Sequence, residues 1–371
     1  MKKCRIHLIA GTRPNVMKIA PLFKVLDRQD WCTPLIVFLA QHYSENMGED
    51  VFRQLGVDAE ITSIPLETGE LGQRIGSIVT NYAKQIDADM PDIVVVPGDV
   101  DVSMGAAIAA KRAHIPLVHL EAGLRSQDQR MPEELNRLMI DSISDILWTP
   151  SEAATGNLIY DEGAAPNKVH FVGNIMIDSL VSVVDSKQSR ELMAKYSVEE
   201  KNYAVATFHR PSNVDDRANL ERVFDLLIEL NNAQQVIFPA HPRTRKKLEE
   251  AGLLKTLVDN GVSVIEPAPY AQFINLMATA KLVVTDSGGI QEETTYLNVP
   301  CLTLRENTER PITVTHGSNT LVNFSDVAEQ ANIIANGGGA KAQSIPLWDG
   351  RTAYRCAHLL KAWWTDQAHS F

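Results

Sequence analysis

Short, nearly continuous apolar runs, each followed by a longer amphipathic stretch, recur along this chain, and that alternation limits its fold more than any other feature. The runs are "RIHLIA" (5–10), "PLIVFLA" (34–40), "DIVVVPG" (92–98), "PLVHLEAG" (116–123), "DILWTPS" (145–151) and "KVHFVGN" (168–174), with helical patterns such as 15–28 and 132–144 between them. Strands that are apolar almost throughout must be covered on both faces, which is the condition of a parallel sheet flanked by helices. The series then starts again at 203–210, 235–242, 262–267, 281–286 and 300–304. The expected class is therefore α/β, with two doubly wound, Rossmann-like domains in succession. Their bounds are expected at 1–175 and 176–350, with 351–371 as a terminal amphipathic helix packing back across the junction. A chain of 371 residues is long for one compact core, which also favours two domains.

Composition narrows the partners. A net charge of -11 argues against nucleic acid, so any phosphate site must be a local cluster of cations working against the overall field. The four cysteines, Cys4, Cys32, Cys301 and Cys356, have no paired spacing, which argues against a metal site, a redox pair or a disulfide framework and makes a reducing cytoplasm the expected compartment. No apolar run approaches membrane-spanning length, and the start, "MKKCRIHLIAGTRP", reads as a first strand, not a signal peptide.

Doubly wound sheets bind ligands beyond the carboxyl ends of their strands, so chemistry should sit just after each run. "GTRPNVMK" (11–18) supplies Arg13 and Lys18; the next strand ends are followed by Asp99, by "EAGLR" with Glu121 and Arg125, by His209-Arg210, and by His241-Pro242-Arg243. Each also has an ordinary structural reading as a cap, an ion pair or a satisfied histidine. Glu133 and Glu134 open a helix, where acids complement the macrodipole in any case. "NGGGAK" (336–341) lacks the spacing of a phosphate loop and a strand before it, and reads as a flexible turn.

"LVVTDSGGIQEETTYL" (282–297) is more specific. Amides of Ser287, Gly288 and Gly289 at a helix N-terminus suit a phosphate, since the first N–H groups of a helix lack internal partners and glycine allows close approach. Glu292, one turn on, cannot favour the phosphate but suits the hydroxyls of a ribose. Arg310, in "RENTERP" (305–311), is placed to reach the same anion.

"GTRPNVMKIAPL", "HLEAGLRSQDQRMPEELNR" and "TDSGGIQEETTYLNVPCLTLRENTERP", in that order, resemble the motifs of the non-hydrolysing UDP-N-acetylglucosamine 2-epimerases. The resemblance implies the GT-B arrangement, two Rossmann-like domains facing a cleft, and C2 epimerisation of a UDP-2-acetamido sugar by elimination of UDP to a 2-acetamidoglucal and re-addition. It implies a UDP-sugar as partner and a homodimer; elimination without redox needs no cofactor, the sequence shows no metal cluster, and the charge and apolar runs already leave nucleic acid and membrane aside. Matched position by position, Asp99, Glu121 and Glu133 are its catalytic acids and His209 the accompanying histidine; Glu121 or Asp99 takes the C2 proton, and Glu133 takes part in reprotonation. Arg13, Lys18 and His209 stabilise the departing diphosphate, Ser287, Gly288, Gly289 and Arg310 hold it, Glu292 takes the ribose, and Phe273 lies near uracil. His241 matches a cleft histidine without a stated role.

Three departures from the commoner bacterial pattern point toward the branch with archaeal and diacetamido-uronate enzymes. Asn15-Val16 replaces Glu-Ala, the Glu121–Glu133 loop is shorter by about two residues, and Pro211 replaces a second arginine in "HRPSN". Together with "AQHYSENM" (40–47), which carries Gln41 and His42, they leave a second, activating substrate site unassigned. The alternatives are an epimerase of UDP-2,3-diacetamido-glucuronic acid, a hydrolysing epimerase and a GT-B glycosyltransferase.

Overall fold

The computed structural model describes residues 2–40, 51–67 and 69–368, so Gln41 and His42 lie outside the described residues. The chain forms two compact units: the first runs to Ser182 and takes in the segment from Pro346, and the second is Val183–Ile345.

Among the described residues the first unit is built on seven parallel strands: β1 (Cys4–Ala10), β2 (Cys32–Ala40), β3 (Ile61–Pro65), β4 (Ile93–Pro97), β5 (Leu117–Leu120), β6 (Ile146–Thr149) and β7 (Val169–Phe171). Their order is β3-β2-β1-β4-β5-β6-β7, so the direction of winding reverses between β1 and β4. β4 is buried at every position, as an all-apolar strand between two helical layers must be. Its Val94 and Val96 share a core with Ile9, Val37, Ile78, Tyr82 and Ala106, the last three from the helices Leu71–Ala88 and Asp101–Arg112. Each valine or isoleucine side chain removed from water contributes about 1.5–3 kcal/mol before conformational entropy is counted.

The second unit carries six parallel strands: β8 (Tyr203–Thr207), β9 (Gln235–Pro239), β10 (Ser263–Ile265), β11 (Leu282–Thr285), β12 (Cys301–Leu304) and β13 (Asn319–Val322). The order is β10-β9-β8-β11-β12-β13, with the reversal between β8 and β11. Phe208, Phe238, Leu227, Val284 and Leu302 are among its buried core.

Two parallel sheets with helices were the expectation, and the strands fall within a few residues of the apolar runs. The boundaries differ from it. The helix Ile175–Val183, expected to open the second domain, belongs to the first unit almost to its end. The terminal helix, Thr352–Ala368, packs in the first unit against the helix Arg13–Leu26. Its start is fixed by Asp178, which accepts from the Thr352 and Ala353 amides at 3.1 and 2.8 Å, and by Arg355, which donates to Val172 O and pairs with Asp349. The sequence reading also passed over β3 and β13. Both are edge strands, where one flank lacks a neighbour and polar residues are tolerated; β3 even ends in a proline. "NGGGAK" is the turn leaving the helix Val327–Ala335, with Gly337 and Gly339 at φ +86° and +99°.

Candidate functional site

Each sheet has one topological switch point, and the loops after the two strands flanking it are where a doubly wound sheet can hold a ligand. In the first unit these are the loops after β1 and β4, in the second those after β8 and β11. The sequence-chosen residues Arg13, Lys18 and Asp99 follow the first pair, and His209, Ser287, Gly288 and Gly289 follow the second.

In the first unit Lys18 and Glu121, 6% and 5% exposed, form a buried ion pair with Nζ to Oε2 at 2.6 Å. Gly98 makes room for it: at φ +63° it has a backbone that favours glycine, and a Cβ there would lie 2.6 Å from the Lys18 ammonium. Glu121 itself has φ +76°, an unfavourable conformation for a side chain that bulky. Its amide and that of Ala122 both donate to Trp148 O, which pins this turn beyond β5 to β6.

Beneath the turn lies a buried polar ladder. His119 Nε2 donates to Gly98 O at 2.8 Å, and its Nδ1 meets Asp141 Oδ1 at 2.5 Å. Asp141 Oδ2 accepts from the Gly123 amide and from Arg125, which also makes a two-pronged pair with Glu162. Burial alone would raise the Asp141 carboxyl, but the His119 and Arg125 charges outweigh it and hold the group below the usual range. Arg125, a strand-end candidate, is thus a structural brace.

The two acids opening the helix Pro132–Ile143 separate. Glu134 is buried; burial opposes its charge, yet hydrogen bonds from the Ser126 and Gln127 amides and an ion pair with Arg137 depress its carboxyl. Glu133 stays exposed. Arg137 also reaches Asp99 Oδ2 at 3.1 Å, and Asn136 donates to Asp99 O at 2.9 Å, so this helix positions Asp99. Arg13 is exposed at the start of the helix Arg13–Leu26. Asn15 there donates to Pro97 O at 3.1 Å, tying the loop after β1 to the end of β4, a bond that a carboxylate could not donate.

In the second unit the organising residue is one the sequence reading treated only as a strand end. Asp286, fully buried, accepts from the backbone amides of His209 and Arg210 and from Asn213 Nδ2, all within 3.1 Å, and pairs with His209 Nδ1 at 3.0 Å. Burial would raise its carboxyl, but these donors keep it low and ionised. Nδ1 of His209 is thereby committed and Nε2 is left as the ring nitrogen for a ligand. Arg210 Nε donates to Asp286 O at 3.0 Å, and Pro211 occupies the first position of the short helix Pro211–Val214, where a missing N–H costs nothing. His241 stands 5.6 Å from His209 ring to ring, and its Nδ1 accepts from the Arg243 amide as a helix cap, with burial and the neighbouring charges lowering its pKa.

The helix Gly288–Tyr296 follows β11. The Ser287 amide donates to Thr285 Oγ1 at 3.0 Å, so it is already used and does not join the expected set of three. Gly288 and Gly289 remain. Among the described residues a Cβ on Gly289 would meet nothing within 4 Å, whereas one on Gly288 would come 2.8 Å from Glu309 Oε1 and 3.1 Å from Arg310 Nη1. The loop holding those residues is fastened by the buried Gln291, whose Oε1 accepts from Thr308 Oγ1 at 2.7 Å and from Asn319 Nδ2 at 3.1 Å. Glu292 and Arg310, expected to take ribose and phosphate separately, form an ion pair with each other at 3.0 Å. Arg310 is also paired with Glu309, and Glu309 with Arg305. Glu293, one residue on, is equally buried. Phe273 is half-buried on the helix Tyr270–Thr279, which packs beside the Gly288 helix. Among the described residues there is no group of three or more His, Cys, Asp or Glu that could hold a metal.

A model of the family described as UDP-N-acetylglucosamine 2-epimerase matches residues 24–361. The chain is 38% identical over 326 residues to the UDP-N-acetylglucosamine 2-epimerase of Methanococcus maripaludis, covering 85% of this chain and 87% of that one. It is 36% identical over 322 residues to the UDP-2,3-diacetamido-2,3-dideoxy-D-glucuronate 2-epimerase of Pseudomonas aeruginosa, covering 86% and 88%. Its structure superposes on the crystal structure of Methanocaldococcus jannaschii UDP-GlcNAc 2-epimerase in complex with UDP-GlcNAc and UDP, with a TM-score of 0.85 and 35% identity over 96% of this chain and 99% of that one.

Proposed function

The chain belongs to the UDP-N-acetylglucosamine 2-epimerase family, and from that premise we propose that it interconverts a UDP-2-acetamido sugar with its C2 epimer by eliminating UDP and adding it back. C2 of such a sugar has no adjacent carbonyl to make its hydrogen acidic. Elimination solves this: the C1–O bond breaks with its electrons leaving on UDP, a carboxylate takes the C2 proton, and a C1=C2 double bond forms. Return of a proton to the opposite face of C2 and of the UDP oxygen to C1 completes the exchange. The scheme needs carboxylates for the sugar and cations for the diphosphate.

The observation that supports this most is the buried Lys18–Glu121 pair, a carboxylate held beside an ammonium at a switch point by a strained backbone. In the proposal Glu121 or Asp99 takes the C2 proton and the exposed Glu133 takes part in returning one. Arg13, Lys18 and His209 steady the departing diphosphate; Gly288, Gly289 and Arg310 retain it, with Ser287 joining through its hydroxyl, since its amide is held by Thr285. Glu292 meets the ribose while paired with Arg310, Phe273 borders uracil, and His241 supports His209. A homodimer and a cytoplasmic location belong to the proposal too, the second because all four cysteines are free and buried, as suits a reducing compartment.

NMR in D2O tests the reaction. With UDP-GlcNAc the expected product is a UDP-GlcNAc and UDP-ManNAc mixture carrying deuterium at C2. Free ManNAc would instead make the enzyme a hydrolysing epimerase. The resemblance to the Pseudomonas aeruginosa enzyme favours a second substrate, the diacetamido uronate, and exchange with that sugar alone would select it. Exchange with neither would end the proposal.

A further inference from the structure

Arg305 was not among the residues read from the sequence, yet its side chain is 5% exposed and its Nη1 has no hydrogen-bond partner among the described residues. A buried guanidinium N–H without an acceptor is costly and seldom kept without a reason. Its position supplies one. Nη1 lies 3.6 Å from where a Cβ of Gly288 would be, beside the first turn of the nine-residue helix Gly288–Tyr296, whose leading amides have no partner within the helix. The other terminal nitrogen, Nη2, holds Glu309 Oε2 at 2.9 Å.

The charges around this turn explain why one arginine is not enough. Arg310 stands between Glu292 and Glu309, so those three groups alone carry an excess negative charge at the place proposed to receive a diphosphate. Arg305 balances the second carboxylate: burial opposes ionisation of Glu309, but Arg310 and Arg305 together hold it well below the usual range. With the pairs balanced, the helix terminus leaves the turn attractive to an anion.

Resting on the proposed UDP site, we propose that Arg305 is a second arginine of that site, which fixes Glu309 with Nη2 and gives its Nη1–H to an oxygen of the diphosphate seated on the Gly288 turn. It acts on the phosphates and on no other part of the ligand. Calorimetric titration of the full chain with UDP, uridine and inorganic pyrophosphate separates these parts. Arg305→Gln should weaken UDP and pyrophosphate roughly 10- to 100-fold and leave uridine affinity unchanged, while the melting temperature falls because the buried Glu309 loses one of its two cations. Arg305→Lys, which keeps the charge and loses the forked donor, should fall between the two; if Arg305→Gln does not fold, this variant carries the same comparison. Equal weakening of UDP and uridine would make Arg305 a structural brace and overturn the inference, as would unchanged UDP affinity. Wild-type protein that binds neither UDP nor pyrophosphate would remove the UDP site itself, and the inference with it.

Discussion

Glu121→Gln should lower turnover by about 10²- to 10⁴-fold, the range expected when a positioned acid or base is removed, while UDP still binds. The geometry makes the second half of that expectation as specific as the first. Glu121 is the counter-ion of Lys18 at 2.6 Å, so the amide removes the opposing charge, which in the proposal leaves the ammonium's charge free for the diphosphate. UDP affinity should hold steady or rise. The substitution keeps the side-chain length, so the left-handed backbone at this position stays as strained as in the parent. Steady-state rates with UDP-GlcNAc and titration with UDP together check the result. Turnover within tenfold of the parent would remove Glu121 from the chemistry, and a parallel loss of UDP binding would make the pair a binding device only.

Asp286→Asn should also cost turnover by orders of magnitude, through His209. The native carboxylate meets only donors: two amides, the Asn213 side chain and His209 Nδ1. An asparagine turns an NH2 toward some of them and no longer favours the Nδ1–H tautomer, so His209 loses both its orientation and its tautomer. By analogy with other His–Asp pairs the loss in kcat is roughly 10²- to 10⁴-fold. Stability should fall by about 1–3 kcal/mol as buried donors lose their acceptor. A double-mutant cycle with His209→Asn separates the two effects: if Asp286 acts through His209, adding Asp286→Asn to that variant slows it little further. A full additional loss would show that Asp286 works independently of the histidine.

Most of the secondary structure was legible because buried parallel strands announce themselves as apolar runs. Edge strands β3 and β13 do not, since one flank is unpaired and residues such as Ser63 and Thr320 are tolerated there. The candidate residues were legible by position, just after strand ends. What joins them was not. His209 and Asp286 are 77 residues apart and meet only because β8 and β11 are neighbours, a fact of strand order that no local pattern carries. Glu133 and Glu134 look alike in the sequence, yet a turn of about 100° per residue sends one to solvent and the other to the Ser126 and Gln127 amides. The Ser287 amide looked as open as those of its neighbours, because its acceptor, the Thr285 hydroxyl, declares itself only through the turn geometry. Arg305 stood in a quoted motif and drew no attention. Its unpartnered nitrogen can be recognised only when Gly288 and Glu309 are seen around it.

The central claim is that the bond between the sugar and UDP breaks and re-forms at each turnover, with UDP held by the second unit meanwhile. Positional isotope exchange measures that bond. UDP-GlcNAc carrying ¹⁸O in the bridge between C1 and the β-phosphorus is incubated with the enzyme and followed by ³¹P NMR. Breakage lets the β-phosphate turn, so the account predicts that the label spreads to the non-bridging β-phosphate oxygens alongside epimerisation at C2. Epimerisation with the label confined to the bridge, and with neither 2-acetamidoglucal nor UDP formed on prolonged incubation, would mean that C1–O never breaks, and would contradict it.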